Sequence, residues 1–206
     1  MRYRTILADP AWTYNDLLPL NDVQPLRGAA DHYKTMSLEE ICALGSNGQF
    51  KLGGPNYGYE AAEDSFLWLW TTNPHLLDGS ATRVCIAWGF KPKQLITWVK
   101  GRLTLSKSYQ PSLVLRTGMG HYTRGCTEHM VLATRGRPKV YVKDQGVNNV
   151  LLHDEDTLVF AQRGVHSEKP EEAYQLIERV CPGPYLELFA RRPRENWTSW
   201  GDQLCS

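Results

Sequence analysis

The chain has 206 residues, of which 42% are hydrophobic and 22% charged. These values are ordinary for a soluble globular domain, so we predict a single domain over residues 1–206. No apolar run has the length of a membrane span, and residues 1–4 lack the apolar character of a signal peptide. Five scattered cysteines without a Cys-x-x-Cys pair argue against a disulfide framework. We therefore expect a cytoplasmic protein without a membrane partner.

The net charge of +1 hides an uneven distribution of charge along the chain. Residues 91–143 contain eleven Lys or Arg and a single acidic residue, Glu128, so the rest of the chain is acidic. Aromatic residues lie among these positive charges, namely Trp98, Tyr109, Tyr122 and Tyr141. Basic groups neutralise phosphates and aromatic rings stack on bases, so this composition suits a nucleic-acid surface. A solvated face on which charges happen to cluster is the alternative.

The first half of the chain predicts two strands, each followed by a helix. The strands are the apolar runs at residues 5–8 and 66–70. The capping-box spacing of Ser37 and Glu40 predicts the start of the first helix. The second helix is predicted from apolar residues at helical spacing, which are Ala81, Val84, Cys85 and Trp88.

The second half predicts three further strands and one helix. The strands are the runs at residues 95–99, 129–134 and 185–190. Pro170 suits the first position of the helix. Its buried stripe is formed by Ala173, Leu176, Ile177 and Val180. This alternation predicts an α/β fold with a doubly wound, mostly parallel sheet.

Ligands bind at the carboxyl ends of the strands in such a sheet. We therefore expect four groups to share one edge, namely Asp9 with Pro10, Thr72 with Asn73, Lys100, and Arg191. Three polar stretches interrupt the alternation at residues 15–32, 45–64 and 101–127, and we expect loops there.

The first predicted strand is followed directly by Asp9, Pro10, Ala11 and Trp12. The nitrogen lone pair of an adenine amino group is delocalised into the ring. An acidic acceptor and a backbone carbonyl can hydrogen-bond both amino hydrogens, and a flat side chain can stack the base. Asp-Pro-x-Trp supplies these groups, although Asp-Pro after a strand is also a common turn.

Residues 6–14 resemble the catalytic segment of the MT-A70 family of S-adenosylmethionine-dependent adenine N-6 methyltransferases. Further segments resemble the family in the same order, at residues 33–37, 66–74, 96–100, 120–137, 166–170, 186–191 and 197–203. The resemblance implies a Rossmann-like methyltransferase fold that is permuted, with the catalytic strand first and the cofactor strand last. Ala11 departs from the family, which usually has a second proline there, and Asp202 stands where Asn is frequent.

The resemblance also implies roles for individual residues. Asp9, the Pro10 carbonyl, Ala11 and Trp12 would form the catalytic turn. S-adenosylmethionine would be bound by Asp9, Lys169, Glu187, Leu188, Phe189, Arg191, Asp202 and Gln203. The nucleic acid would be bound by Tyr14, Tyr33, Trp70, Trp98, Lys100 and Glu128. Lys107 and Arg124 are added as nucleic-acid-binding residues because they fall in the long basic stretch at residues 101–127, not because of the resemblance. Core packing is the alternative for Trp70 and Trp98, and it is the expectation for Trp68, Trp88 and Trp197.

The sequence leaves two classes of function open. The first is an adenine methyltransferase that uses no metal, since Cys126, His121 and His129 lack the further ligand that a zinc site needs. The second is a non-catalytic nucleic-acid-binding relative that supports an active partner. The intact Asp9, Trp12 and Lys169 favour the enzyme. We expect DNA as the substrate because no additional RNA-binding module is evident, with RNA as the alternative, and a homodimer is left open.

Overall fold

The computed structural model describes residues 1–13, 35–51, 58–105, 111–115, 122–153 and 169–205. Within these residues, ten strands form one sheet. The strands are β1 (Arg2–Ala8), β2 (Gly45–Ser46), β3 (Gln49–Lys51), β4 (Gly58–Thr71), β5 (Lys91–Leu105), β6 (Pro111–Leu115), β7 (Thr127–Arg135), β8 (Val150–His153), β9 (Tyr185–Leu188) and β10 (Trp197–Trp200). The helices are α1 (Leu38–Leu44), α2 (Asn73–Leu77), α3 (Ser80–Ala87) and α4 (Glu171–Val180).

The main sheet has the strand order β10-β9-β1-β4-β7-β5-β6. β1 pairs in parallel with β4 and β9, and β9 pairs in parallel with β10. β7 is antiparallel to both β4 and β5, so β5 again points in the direction of β4. β8 extends this direction by pairing in parallel with β5. The mostly parallel, doubly wound sheet that the sequence predicts is confirmed.

Helices cover both faces of the sheet. Apolar residues of α1 and α3, such as Ile41 and Val84, join the core on one face. Ala173 and Ile177 of α4 join the core on the other face. The chain therefore crosses one face between β1 and β5 and the opposite face before β9. The order of strands reverses at the boundary between β1 and β9, which is where doubly wound sheets form a ligand crevice.

The predicted helix starts and tryptophans are largely confirmed. Ser37 caps α1 with a complete capping box, and Gly45 ends that helix. Trp68, Trp88 and Trp197 lie in the core. Pro170 is the N-cap residue of α4 rather than its first helical residue, because its ψ of 145° is extended. No helix in the described parts of the chain is long and apolar enough to span a membrane.

Two of the expected loops are wrong. Residues 45–64 contain β2, β3 and the first half of β4, and residues 101–127 contain the end of β5 and all of β6. In β3 only Phe50 is buried, and in the first half of β4, over residues 58–64, only Ala61 is buried. Strands with so little buried surface need few apolar residues, so their sequence is as polar as that of a loop.

Gly201 allows the carboxyl ends of β9 and β10 to approach each other closely. The amide of Ala190 donates to the Trp200 carbonyl at 2.8 Å. A Cβ atom added at Gly201 would overlap the carbonyl oxygen of Ala190, whereas one at Gly125 would meet no atom within 4 Å. The backbone next to the predicted cofactor residues therefore depends on a glycine at position 201.

We expect Gly201→Ala to lower the free energy of unfolding by about 1–3 kcal/mol, because the overlap forces the backbone apart. Gly125→Ala is the matched control and should stay within about 0.5 kcal/mol of the wild type. Urea denaturation of both variants measures the difference. Equal stability of the two variants would show that the ends of β9 and β10 can move apart without lowering the free energy of unfolding.

Candidate active site

Four charged side chains form a continuous chain at the carboxyl edge of the sheet. The ammonium of Lys169 lies 2.9 Å from Oδ2 of Asp9 and 3.4 Å from Oε2 of Glu128. Oε1 of Glu128 in turn accepts a hydrogen bond of 2.6 Å from Lys100. Asp9 follows β1, Lys100 lies in β5 and Glu128 lies in β7, so the fold brings together residues that are far apart in sequence.

Burial makes these charges depend on one another. The side chain of Lys169 is only 10% exposed. Burial lowers the pKa of Lys169, but the carboxylates of Asp9 and Glu128 outweigh burial and raise it above its ordinary value. Burial raises the pKa of Glu128, but Lys169 and Lys100 outweigh burial and hold it below its ordinary value. Lys169 and Glu128 are therefore both ionised at neutral pH.

The catalytic turn is held by backbone hydrogen bonds on each side of Ala11. The amide of Trp12 donates to the Pro10 carbonyl at 2.8 Å, and the amide of Met36 donates to the Ala11 carbonyl at 2.8 Å. The amide of Asp9 donates to the Leu188 carbonyl of β9 at 3.4 Å. These contacts fix the turn, although alanine replaces the second proline of the family pattern.

The Trp12 ring is already engaged within the protein. Its Nε1 donates to the carbonyl of Trp70 at 3.1 Å, and its ring stacks on His75 with the ring centres 4.8 Å apart. The side chain is buried. Trp12 therefore fixes the catalytic turn against β4 and α2 in this structure, and base stacking by Trp12 remains a prediction.

Trp70 and Trp98 belong to the core rather than to an open base platform. Their side chains are 1% and 6% exposed, and their rings pack edge to face. The ammonium groups of Lys169 and Lys100 lie 5.2 Å and 5.0 Å from the ring centres of Trp70 and Trp98, respectively. The two rings thus support the cations, and their placement as substrate-binding residues is corrected to core packing.

The predicted cofactor residues lie at the ends of β9 and β10. Glu187 is buried and accepts a 2.7 Å hydrogen bond from the hydroxyl of Tyr174 in α4. Burial raises the pKa of Glu187 above its ordinary value. Ser199 pairs with Glu187 in the register of β9 and β10. Its buried hydroxyl has no hydrogen-bond partner among the described residues, so this site holds polar atoms that the core does not use.

Four further residues that the sequence predicts to bind the cofactor lie in or directly after the same two strands. Phe189 has a left-handed backbone with φ of 65°, and its ring packs edge to face on Trp200. Leu188 is buried in the core, and its carbonyl accepts a hydrogen bond from the amide of Asp9. Arg191 lies near enough to Lys169 to act on its charge. Asp202 is exposed and begins a short 3-10 turn directly after β10.

Some predicted residues lie outside what the structure describes. Tyr14, Tyr33 and Lys107 fall outside the described ranges, as does the side chain of Gln203. Arg124 is described and exposed, and it lies three residues before the start of β7 at the carboxyl edge. Their roles in binding stay predictions.

The basic segment at residues 91–143 does not form one surface. β5 begins at Lys91 and reaches Lys100 at the carboxyl edge, whereas β7 runs the opposite way and ends at Arg135. Lys91 lies opposite Thr134, so Lys91 and Arg135 share the amino-terminal edge of the sheet. The nine residue steps from Lys91 to Lys100 span about 30 Å of strand. Only part of the positive charge therefore lies near Asp9.

The sequence analysis missed Tyr174, and it did not foresee the contact between Asn73, which it placed at the carboxyl edge, and His129, which it considered only as a metal ligand. Tyr174 lies in the helix that also provides apolar core residues, and its hydroxyl binds Glu187. Asn73 and His129 hydrogen-bond each other at 2.7 Å beside the catalytic turn. The position of Asn73 directly after a predicted strand indicates that it lies at the carboxyl edge, but nothing in the sequence predicts its contact with His129. Within the described ranges, no group of three or more His, Cys, Asp or Glu could hold a metal ion.

The comparison with protein families fits this geometry. The model of the MT-A70 family matches residues 56–203, which is most of the chain. The chain belongs to the MT-A70 family. The α/β fold with its mixed, largely parallel sheet is the methyltransferase fold expected of that family.

Individual relatives match almost the whole chain. The chain is 31% identical to the N(6)-adenosine-methyltransferase subunit METTL3 of Danio rerio and 30% identical to the human N(6)-adenosine-methyltransferase catalytic subunit METTL3. Each match covers 98% of this chain but only 28% of the relative. The type II methyltransferase M.MunI of Mycoplasma sp is 26% identical over 98% of this chain and 78% of its own length. The chain thus spans about a quarter of the length of the METTL3 proteins.

We expect Glu128→Gln to lower the free energy of unfolding by about 1–3 kcal/mol at pH 7, because Lys169 and Lys100 lose their shared carboxylate. The folded-state pKa of Glu128 is depressed, so its contribution is present above the unfolded pKa of about 4.3 and is lost as the pH falls through the folded pKa. The difference in the free energy of unfolding between wild type and variant should therefore disappear as the pH falls below about 4. Chemical denaturation across pH measures this.

The matched control is Glu60→Gln, which removes an exposed ion pair with Arg2 and should have little effect. A Glu128→Gln variant that is as stable as Glu60→Gln at pH 7 would contradict the coupling of the four charges.

Proposed function

We propose that this chain transfers a methyl group from S-adenosylmethionine to the 6-amino group of adenine in nucleic acid. The observation that carries the proposal is the position of Asp9, which lies at the reversal point of the sheet and is bound by the buried cation of Lys169. A carboxylate in this crevice can accept a hydrogen bond from an amino group on a base. Membership of the MT-A70 family and the adenosine methyltransferases among the relatives support the same reaction.

The residues at the reversal point fit S-adenosylmethionine. Glu187 and Asp202 are acceptors suited to the ribose hydroxyls and to the adenine amino group, respectively. Lys169 and Arg191 are cations suited to the methionine carboxylate. Lys169 has three N–H donors, of which Asp9 and Glu128 engage two. When bound, S-adenosylmethionine would supply a methyl group from its sulfonium. The leaving group would be a neutral thioether, which needs no further activation.

Asp9 and Pro10 would orient the target amino group. Among the described residues Asp9 binds Lys169 through Oδ2, so we assign Oδ1 to the amino hydrogen. The Pro10 carbonyl accepts from the Trp12 amide and retains a second lone pair for the other hydrogen. Two acceptors of this kind hold the nitrogen lone pair toward the methyl donor and act most strongly as positive charge develops on nitrogen. Lys169 positions Asp9, and Glu128 positions Lys169.

We propose DNA as the substrate and keep RNA as the second candidate. Type II methyltransferases act on DNA, and the match to M.MunI extends over 98% of this chain. The relatives with adenosine methyltransferase in their names support adenine as the target base. Transfer of labelled methyl groups to adenine-containing oligonucleotides of DNA and of RNA, compared at equal concentration, separates the two.

We expect Asp9→Asn to reduce the single-turnover rate of methyl transfer by about 10²- to 10³-fold, because an ionised acceptor in the transition state is replaced by a neutral amide. Asp144→Asn is the matched control, since Asp144 pairs with Arg179 at the surface instead. Thermal unfolding of both variants shows whether the fold is retained. A folded Asp9→Asn variant within a few-fold of the wild-type rate would exclude Asp9 from catalysis.

Because the basic residues at 91–143 lie at both edges of the sheet, we expect charges at the two edges to contribute differently to nucleic-acid binding. Arg124→Ala should reduce the slope of log affinity against log salt by about one unit if it removes one phosphate contact. Lys91→Ala removes an equal charge from the opposite edge, so it should leave the slope unchanged. Titrations of an adenine-containing oligonucleotide at several salt concentrations measure both. A larger effect at Lys91 than at Arg124 would place the nucleic acid on the amino-terminal edge.

A further inference from the structure

Asn73 and His129 form a hydrogen-bonded pair at the carboxyl edge. Nε2 of His129 lies 2.7 Å from Oδ1 of Asn73, and Nδ1 lies 3.1 Å from Oγ1 of Thr97. The histidine is only 9% exposed, whereas Asn73 is exposed. A buried ring therefore holds a surface amide by its oxygen.

The arrangement of donors and acceptors selects one tautomer of His129. Oδ1 of Asn73 can only accept, so Nε2 must carry the hydrogen. Nδ1 then accepts from the hydroxyl of Thr97. Burial holds the pKa of His129 below its ordinary value, which keeps the ring neutral at pH 7. With its oxygen engaged in this way, Asn73 can present its NH₂ group outward as a hydrogen-bond donor.

The location of Asn73 connects this donor to the catalytic turn. Ala8 pairs with Leu69 in the register of β1 and β4, and β4 ends at Thr71, so Asn73, the first residue of α2, lies just beyond the carboxyl end of the strand next to Asp9. Two residues later in α2, His75 stacks on Trp12 of the catalytic turn. This position, next to the catalytic turn but outside it, fits a contact to a nucleotide that flanks the target adenine.

We propose that Asn73 is a substrate-binding residue that donates a hydrogen bond to an acceptor on this flanking nucleotide, and that His129 is the residue that positions it. The inference rests on the proposed function and adds a contact that the Asp9 turn does not supply. The acceptor is either a phosphate oxygen or an oxygen or nitrogen on the edge of a base, since both chemistries suit an amide donor.

The first experiment changes the donor. Asn73→Ala removes it and should raise KM for an adenine-containing oligonucleotide about 3- to 10-fold, as expected for one neutral hydrogen bond, with little change in kcat. Asn73→Asp replaces the donor with a charged acceptor and should raise KM further. Asn148→Asp makes the same change at another exposed asparagine and is the matched control. Affinity for S-adenosylmethionine should be unchanged in all three variants.

A pool of oligonucleotides with random bases around one adenine identifies the acceptor. Loss of methylation that depends on one flanking base assigns the contact to a base edge, and a uniform loss assigns it to a phosphate. Wild-type KM for Asn73→Ala and for Asn73→Asp, measured with an active wild-type control, would overturn the inference and leave the proposed function intact. If the wild type methylates no adenine, the proposed function fails, and binding of the same oligonucleotide to the Asn73 variants still tests the contact.

The second experiment tests the positioning role of His129. Nitrogen-15 spectra of the histidine rings should show the Nε2–H tautomer for the signal that is lost in His129→Gln. His129→Leu cannot hold Asn73 and should raise KM about as much as Asn73→Ala, whereas His129→Gln retains an N–H donor and should restore part of the loss. An Nδ1–H tautomer, or equal KM for His129→Leu and the wild type, would overturn the positioning role.

Discussion

The site depends on one buried cation shared by two carboxylates. Lys169 touches both Asp9 and Glu128 and is almost entirely removed from solvent. A buried charge is costly unless it is paired, and removing either partner leaves the other uncompensated. The orientation of Asp9 is therefore tied to residues in β7 and β5 through Glu128 and Lys100. The carboxylate that we propose as catalytic, at the end of one strand, is thus held by charges from across the sheet.

The topology explains why this chain of charges can also meet a cofactor and a base. β1 lies where the strand order reverses, so Asp9 borders elements from both faces of the sheet. The side covered by α4 provides Tyr174, which holds Glu187. The other side provides α2, whose His75 packs on Trp12. The two faces thus both border Asp9, and we propose that cofactor groups lie on one side and substrate groups on the other.

The sequence predicted the apolar strands of the sheet and the helices α1, α3 and α4, because apolar periodicity and short motifs are local properties. It also singled out Asp9 and Lys169, whose roles stay proposals. It could not predict that Lys169 binds Asp9 directly, since residues 160 positions apart meet only through the sheet. The polar strand β3 was missed for a related reason, because a short strand with one buried residue has the composition of a loop. The basic segment was interpreted as one surface because the antiparallel direction of β7 is not visible in charge counts.

The identity of the methylated atom tests the account most directly. Wild-type protein is incubated with methyl-labelled S-adenosylmethionine and with DNA and RNA that contain adenine, and the products are digested to nucleosides. The account predicts that the label is recovered as adenine methylated on its 6-amino group, from at least one of the two nucleic acids. Label on a ring nitrogen, on a ring carbon or on another base would contradict the role of Asp9 and Pro10 as acceptors for an amino group.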